Sequence, residues 1–262
     1  SGTNLPGQTY GSLVTVVGDI SLATNSWICP ISDPINGSSP LFRCQNLTIS
    51  TINAGFDASS GGYPPVYGAA GLGPGGGGHH AASLTSGGGG YGGAGGRGAN
   101  ALALGGATYG FLQTPMDPGS AGGSYPWPTY LGGPGGGLVR IEAVDRMILN
   151  GSILANGPGG GNNGVGGAGS GGGIYLRCKK LNGTNAVLSA NGGSHGRSDY
   201  GGAGGGGRIA VWRVVDQNVT TGTWTITVNG GTVGGSNGAS NGLPGTVFFA
   251  WAAAPGTVIV IQ

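Results

Sequence analysis

Charged side chains are scarce in this sequence, and their scarcity excludes one large class of function. Asp, Glu, Lys and Arg make up 7% of the 262 residues, against about 25% in a typical soluble domain. The ten Lys and Arg residues are scattered, and only Lys179 and Lys180 are adjacent. A nucleic-acid-binding protein concentrates its basic residues on one face, so we expect no nucleic-acid partner.

The chain also lacks a long uninterrupted apolar run and any helical hydrophobic period. The longest apolar stretch, residues 247–261, is broken by Pro255 and Gly256. It is therefore too short to cross a bilayer as a helix, and it predicts two strands instead. No segment keeps a 3.6-residue period. We expect no membrane span and almost no helix.

Groups that perform chemistry are few and dispersed. Glu142 and Asp145 are close in sequence, but two arginines share their segment, so ion pairing is expected rather than acid–base catalysis. His79 and His80 have no acidic or cysteine neighbour to complete a metal site, and His195 is expected on an exposed loop. No Gly-x-Ser-x-Gly elbow occurs in a strand–turn–helix setting, and phosphate-loop and calcium-repeat motifs are absent from the sequence. We therefore expect no enzyme activity, no cofactor and no metal.

Cysteine is rare too, with three residues, and an odd number leaves at least one thiol unpaired within the chain. Cys29 and Cys44 enclose a proline-rich loop, which predicts a disulfide of the kind found in extracellular proteins. Cys178 is then expected to be a buried thiol, with an exposed thiol or a bond to another subunit as alternatives.

The first residue is Ser1 rather than methionine, which predicts a removed leader and an extracellular or cell-surface location. Five Asn-x-Ser/Thr triplets are candidate N-glycosylation sites, although such triplets also arise by chance in a glycine-rich chain. They begin at Asn36, Asn46, Asn150, Asn182 and Asn218.

Glycine dominates what is present, with 66 of the 262 residues. Such a composition is typical of disordered chains, but a net charge of +2 and 37% hydrophobic residues indicate a folded one. Each glycine in regular structure costs roughly 0.5–1 kcal/mol more than alanine, while a domain is stable by only about 5–15 kcal/mol. Ordering so much glycine requires dense backbone hydrogen bonding, stacked repeats or contacts with other subunits, and each indicates a structural role.

The strand-forming residues recur in copies of one pattern. Copies begin at Leu138, Ile174, Ile209 and Val247, at spacings of 36, 35 and 38 residues, and an earlier copy begins at Leu41. Each has a strand, a turn that is often Asn-Gly, and usually a second strand and a glycine tract. Because one such unit cannot bury its own apolar face, units stack. We predict an all-β fold, a parallel β-solenoid-like stack of about 36-residue repeats with long glycine-rich, polyproline-II-like loops; the alternative is a β-sandwich with a glycine-rich layer.

The glycine tracts, residues 87–98, 157–173 and 201–207, precede or follow the strands in equivalent places, and a longer glycine-rich segment fills residues 56–137. The tracts are either exposed and mobile or packed side by side as extended rods, where glycine permits close approach. Packing is favoured because long structureless segments are uncommon in compact domains. The absence of a strict Gly-X-Y period excludes collagen.

Residues 1–25 are predicted to form an N-terminal β segment, and residues 26–262 a single glycine-rich β-repeat domain. The segment has no obvious partner among the copies. It either completes the sheet of a neighbouring copy by strand addition or caps its own repeats. Its candidate assembly residues are Leu13, Val14, Val16, Val17 and Ile20.

Three aromatic residues, Tyr125, Trp127 and Tyr130, are interleaved with prolines and are the candidate contact surface. Rings with polar tips suit sugars or a subunit interface. Packing against the glycine layer is the favoured alternative.

Residues 201–211, Gly-Gly-Ala-Gly-Gly-Gly-Gly-Arg-Ile-Ala-Val, and residues 188–193, Leu-Ser-Ala-Asn-Gly-Gly, carry a resemblance. They resemble the repeats of large glycine-rich surface and secreted proteins of environmental bacteria, well over 138–262 and poorly over 41–137. A more distant likeness is to phage tail-tip adhesins and insect antifreeze proteins built on polyglycine bundles. The N-terminal strand resembles those of extracellular filaments joined by donated strands. These resemblances imply a surface or fibre role and carry over no catalytic residue.

The sequence thus predicts a structural subunit of an extracellular filament or surface layer, which assembles with itself through β-edges. The alternative is a surface adhesin that binds glycan, cell envelope or ice through glycine-rich and aromatic loops. A polysaccharide-degrading β-helix enzyme is a weaker hypothesis, because no carboxylates are clustered in the sequence.

Overall fold

The computed structural model describes residues 11–80, 82, 84–127, 129–161, 164–195, 200–219, 223–235 and 237–253. Over these residues the fold is all-β, as predicted; it contains no α-helix, and hence none that would cross a membrane. The strands in this part of the chain are β1 (Leu13–Thr15), β2 (Ile20–Leu22), β3 (Trp27–Ile28), β4 (Leu41–Ile49), β5 (Gly55–Asp57), β6 (His79–His80), β7 (Thr85–Ser86), β8 (Leu138–Leu149), β9 (Ser152–Leu154), β10 (Gly173–Arg177), β11 (Lys180–Gly183), β12 (Val187–Ser189), β13 (Arg208–Arg213), β14 (Val215–Val219), β15 (Thr225–Thr227) and β16 (Thr246–Trp251).

Nine of these strands form one sheet, which we call the large sheet. Its main path runs β1-β4-β8-β10-β13-β16, in sequence order, with β2 beside β4 and β11 between β8 and β14. All its pairings are parallel. The long strand β8 pairs first with β10 and then with β11 on the same side. Parallel neighbours require long connections, which the second sheet and the glycine tracts provide.

Five short strands form the small sheet, in the order β15-β12-β9-β5-β3, and they too are parallel. The chain alternates between the sheets, because β5 follows β4, β9 follows β8 and β12 follows β11. One apolar core contains Phe42 and Ile141 from the large sheet together with Phe56, Ile153 and Leu188 from the small sheet. Burial of this shared core holds the two sheets together.

The register of the large sheet aligns the strands that the sequence pattern matched. Ile174 pairs with Ile209, and Ile209 pairs with Val247, as in the alignment of the copies. The register partner of Ile174 on β8 is Val139 rather than Leu138. The copy on β8 therefore begins one residue later than predicted. Alternation then sends these side chains to the core face of their strands.

The N-terminal segment pairs within its own chain. Leu13 of β1 pairs with Leu41, and Ile20 of β2 pairs with Leu47, both in parallel with β4. The chain therefore forms its own first edge strand, which is the capping alternative. Exchange of this strand between copies remains a prediction.

The glycine tracts leave the sheets and return, and their backbones are hydrogen-bonded to one another. Gly172 N donates to Ala155 O at 2.7 Å, and Gly171 N donates to Gly205 O at 2.9 Å. The first bond joins the start and the end of one glycine-rich segment, and the second joins that segment to the next one. The prediction that the tracts are packed is thus confirmed for the described residues. We call the described parts of residues 71–107, 118–137, 155–173, 190–207 and 228–245 the glycine layer.

Absence of side chains is what allows the glycine layer to form. A Cβ placed on Gly204 would lie 1.9 Å from Gly169 O and 3.0 Å from Gly193 N. Backbone would obstruct it on two sides, and no change of side-chain rotamer removes such a clash. The layer is therefore held at a spacing that only glycine satisfies at this position.

Candidate functional site

The large sheet has an open edge at each end of its strand order. Among the described residues β1 pairs only with β4, and β16 only with β13. Thr246 N donates to Gly207 O, which directs the even-numbered N–H groups of β16 toward β13. Because these groups alternate along a strand, the odd-numbered ones point to the open edge. Those residues are Val247, Phe249 and Trp251.

Strand β1 forms the opposite edge, and it too directs part of its backbone groups away from its neighbour. Leu41 N donates to Ser12 O, and Val16 N donates to Arg43 O, so Leu13 and Thr15 direct their own backbone groups away from β4. Strands β1 and β16 contain no charged residue. Natural proteins usually blunt an exposed edge with charge or proline, and neither is found within these two strands.

A row of asparagines links successive strands beyond the end of the small sheet. Asn156 Oδ1 accepts from Asn191 N at 2.8 Å, and Asn191 Oδ1 accepts from Asn229 N at 2.7 Å. Asn191 Nδ2 also donates to Thr227 Oγ1 at 2.9 Å. Asn156 and Asn191 therefore each accept a hydrogen bond from the backbone N–H of the next asparagine in the row, which lies 35 or 38 residues later in the chain. Asn229 is exposed and is the last member of the row in the described chain.

The five predicted assembly residues occupy the first edge. Leu13 and Val14 are about two-fifths exposed, and Val17 is almost fully exposed. Val16 and Ile20 are partly buried and pack against the core. The structure thus divides this set into residues that anchor the edge strand and residues that face solvent.

The three aromatic residues predicted as a contact surface lie together in one loop. Tyr125 N donates to Tyr130 O at 3.1 Å, and the two phenol rings lie 6.3 Å apart. Trp127 is 59% exposed, while Tyr125 and Tyr130 are half-buried. The rings therefore form a small exposed platform whose role in binding remains a prediction.

The disulfide predicted between Cys29 and Cys44 is not formed, because both residues are free thiols. Cys29 is exposed after β3, whereas Cys44 lies in the core, where burial raises its pKa to about 11. Cys178 is also a free thiol, and burial raises its pKa to about 12. The buried thiol expected at Cys178 is therefore the form observed.

Four of the five glycosylation candidates are described with their side chains. Asn36 is exposed, whereas Asn46, Asn150 and Asn182 are half-buried. Asn46 donates to Asp19 Oδ1, and Asn150 accepts from Thr184 N, so two of these amides are already engaged. The side chain of Asn218 lies outside the described structure, and glycosylation at all five stays a prediction.

Carboxylates near the middle of the chain form ion pairs, although not with the arginines of their own segment. Glu142 pairs with Arg43 at 2.7 Å, and Asp145 pairs with Lys180 at 3.2 Å. The partners lie on neighbouring strands of the large sheet. In the described part of the chain, no three His, Cys, Asp or Glu residues converge as a metal site would require.

A buried arginine, Arg208, connects the large sheet to the segment around Tyr109, and the sequence analysis did not identify it. Arg208 Nε and Nη2 donate to Tyr109 O at 3.0 and 2.8 Å, and Nη1 donates to Thr246 Oγ1 at 3.0 Å. Its guanidinium lies 5.5 Å from the centre of the Tyr91 ring. Burial raises the pKa of nearby Asp117, and the positive charge of Arg208 opposes that shift. The only sequence signal was an arginine directly after a glycine tract.

His195 was expected on an exposed loop, but it is 5% exposed. Burial lowers its pKa below the usual 6.5, since the charged imidazolium loses its hydration. The unfolded chain therefore takes up the proton first, and stability falls as the pH drops below about 6.5 toward the folded-state pKa.

We accordingly expect the denaturant midpoint to be lower at pH 5 than at pH 8. His195→Gln should reduce this difference, whereas His79→Gln at a half-buried position should preserve it. Chemical denaturation followed by circular dichroism at both pH values measures the effect. A pH dependence equal in the wild type and His195→Gln would contradict this assignment.

Comparison of the chain with protein-family models, with curated proteins and with solved structures finds no match.

Proposed function

We propose that this protein is a structural subunit of an extracellular or cell-surface filament or layer, and that copies assemble head to tail through the open edges of the large sheet. The single observation that carries the proposal is the pair of uncharged edge strands, β1 and β16, at opposite ends of one parallel sheet, each of which pairs on one side only among the described residues. The partner is a second copy of the same chain. No catalytic step is part of the proposal.

Strand direction supports an open polymer rather than a closed dimer. Every strand on the main path is parallel, so β16 of one copy and β1 of the next can pair in the same direction as their neighbours. Such a joint uses two different surfaces, and repeated heterologous joints produce a filament when the rotation does not close. Antiparallel pairing of two identical edges would produce a dimer instead.

The ends of the core support the same joint. Phe249 and Ile226 at the β16 end are only partly buried against the core, and Trp27 and Leu13 at the other end are about 40% exposed. Pairing of successive copies would bury these apolar side chains, which is favourable by about 25 cal/mol per Å². The side-chain oxygen of Asn229 would also accept a hydrogen bond from a backbone N–H of the next copy.

We further propose that the two sheets are the walls of a parallel β-solenoid in which each repeat of about 36 residues contributes one rung. Support comes from the alternation of the chain between the sheets and from the parallel register of β8, β10, β13 and β16. In this description the glycine layer is a lateral extension of the rungs.

Val247→Pro should abolish polymerisation while leaving the subunit folded. The N–H of Val247 points away from β13, so proline there removes no hydrogen bond of the large sheet but disrupts pairing with the next copy. Val247→Ala keeps the N–H and is the matched control, expected to form polymers like the wild type. Negative-stain electron microscopy and sedimentation measure assembly, and circular dichroism measures folding.

Two results would contradict the proposal. One is a wild-type chain that stays monomeric at high protein concentration. The other is a folded Val247→Pro variant that polymerises as the wild type does.

A further inference from the structure

Charges alternate across three neighbouring strands on the face of the large sheet away from the core. Arg43 of β4, Glu142 of β8 and Arg177 of β10 are register partners, so their backbones are spaced by about 4.8 Å. Arg43 Nη2 and Nε donate to Glu142 Oε2 at 2.7 and 3.0 Å. Both bonds use the same oxygen, and Arg177 stands on the other side of the carboxylate.

These residues line a cavity of about 200 Å³, together with Lys179 and apolar side chains that include Val144 and Val214. Arg177 and Lys179 are exposed, and neither forms a salt bridge with any described residue. The cavity therefore has three cationic side chains and one carboxylate. It is an anion-attracting cavity with two uncompensated positive charges, on a chain whose net charge is only +2.

The residues of the cavity favour a carboxylate held on a small, partly apolar body. A guanidinium offers parallel N–H donors that match the two oxygens of a carboxylate, and the ammonium of Lys179 adds a mobile donor. Val144 and Val214 present apolar surface beside these charges. A sugar ring has both features, an apolar C–H face and, in a uronic acid, a carboxylate.

An acidic peptide is a poorer match for the same cavity. Strands β4, β8 and β10 are each paired on both sides, so their backbone groups are already hydrogen-bonded. A peptide would therefore gain none of the main-chain bonds by which extended segments usually bind a sheet. Its binding would rest on side-chain charge alone.

We propose that this cavity, formed by Arg43, Glu142, Arg177 and Lys179, binds the carboxylate of a uronic-acid unit in an acidic polysaccharide. Arg177 and Lys179 contact the carboxylate, and Glu142 keeps Arg43 oriented while it limits the affinity. In a filament or surface layer, such a site on every subunit would attach the protein to an anionic matrix through many weak contacts.

The test is isothermal titration calorimetry of the full chain with oligogalacturonate at low salt, with the methyl-esterified, neutral oligomer as a ligand control. Arg177→Gln and Lys179→Gln should each weaken binding of oligogalacturonate by about tenfold, since each removes a hydrogen bond to a charged group. Glu142→Gln should strengthen it severalfold. Arg97→Gln, at an exposed arginine in the glycine layer, should leave the affinity unchanged. Added salt should weaken binding by the wild type.

Three outcomes would overturn the proposal. The first is no binding of oligogalacturonate at low salt, and the second is an equal loss on Arg97→Gln and Arg177→Gln, which would indicate diffuse charge attraction. The third is equal or tighter binding of oligoglutamate, which would replace the sugar by an acidic peptide. Each of these is measured on the dissolved chain, so each is independent of whether the chain polymerises.

Discussion

Gly204→Ala is expected to lower the free energy of unfolding by about 3 kcal/mol, because overpacking of a tightly packed interior costs about 1–3 kcal/mol even where side chains can adjust. The new Cβ would meet Gly169 O at 1.9 Å and Gly193 N at 3.0 Å. Both atoms belong to neighbouring backbones, so relief requires the tracts to move apart and their hydrogen bonds to lengthen. Chemical denaturation followed by circular dichroism measures the loss.

Gly18→Ala is the matched control, since a Cβ on Gly18 meets no atom within 4 Å and the residue is exposed. It should be neutral or stabilising by up to about 1 kcal/mol, because alanine restricts the unfolded chain more than glycine does. Equal stabilities of the two variants would show that the glycine layer is loosely packed in solution, which would contradict the close backbone packing at Gly204.

Arg208→Met is expected to lower the free energy of unfolding by about 3 kcal/mol as well. The methionine fills similar volume but makes none of the hydrogen bonds to Tyr109 O and Thr246 Oγ1. A buried polar group left without its partner costs about 1–3 kcal/mol, and two partners lose theirs here. The contact with the Tyr91 ring is lost too.

Arg97→Met removes an arginine that is exposed and should change the stability by less than about 0.5 kcal/mol. Thermal unfolding of the two variants beside the wild type makes the comparison. A loss of stability for Arg208→Met no larger than that for Arg97→Met would mean that this guanidinium does not attach the segment around Tyr109 to the large sheet.

Local sequence patterns were sufficient to predict an all-β fold and to match some of the residues that pair in it. Ile174, Ile209 and Val247 were matched as equivalent positions, and they are register partners in the large sheet. The prediction depends on residues close together in sequence, namely β-branched runs that end at Asn-Gly and glycine. The confinement of glycine to tracts likewise anticipated that these segments pack against each other.

Long-range partners were not predictable in the same way. Glu142 pairs with Arg43, 99 positions away, and Arg208 donates to the carbonyl of Tyr109, also 99 positions away. Nothing in the local sequence identifies these partners, because some 80 residues separate β5 from β8 and Tyr109 itself lies within that interval. His195 was assigned to an exposed loop for the same reason, since its polar neighbours in sequence gave no sign of the backbone packed over it.

The disulfide prediction was wrong because spacing alone decided it. A loop closed by Cys29 and Cys44 is reasonable in length, but the two residues lie in different parts of the fold. Cys44 points into the core from β4, and Cys29 leaves the small sheet at the surface. A bridge requires Cα atoms within about 7 Å and suitable Cβ directions, which sequence spacing does not report.

Head-to-tail assembly depends most directly on the proposed joint between β16 and β1, and electron microscopy of wild-type polymers tests it. Six strands lie on the main path of the large sheet, and adjacent strands are spaced by about 4.8 Å, so each subunit should add about 29 Å along the filament. Diffraction from the images is predicted to contain an axial repeat near 29 Å together with the strand spacing of about 4.8 Å. Filaments with an axial repeat that is not compatible with six strands per subunit would contradict the account.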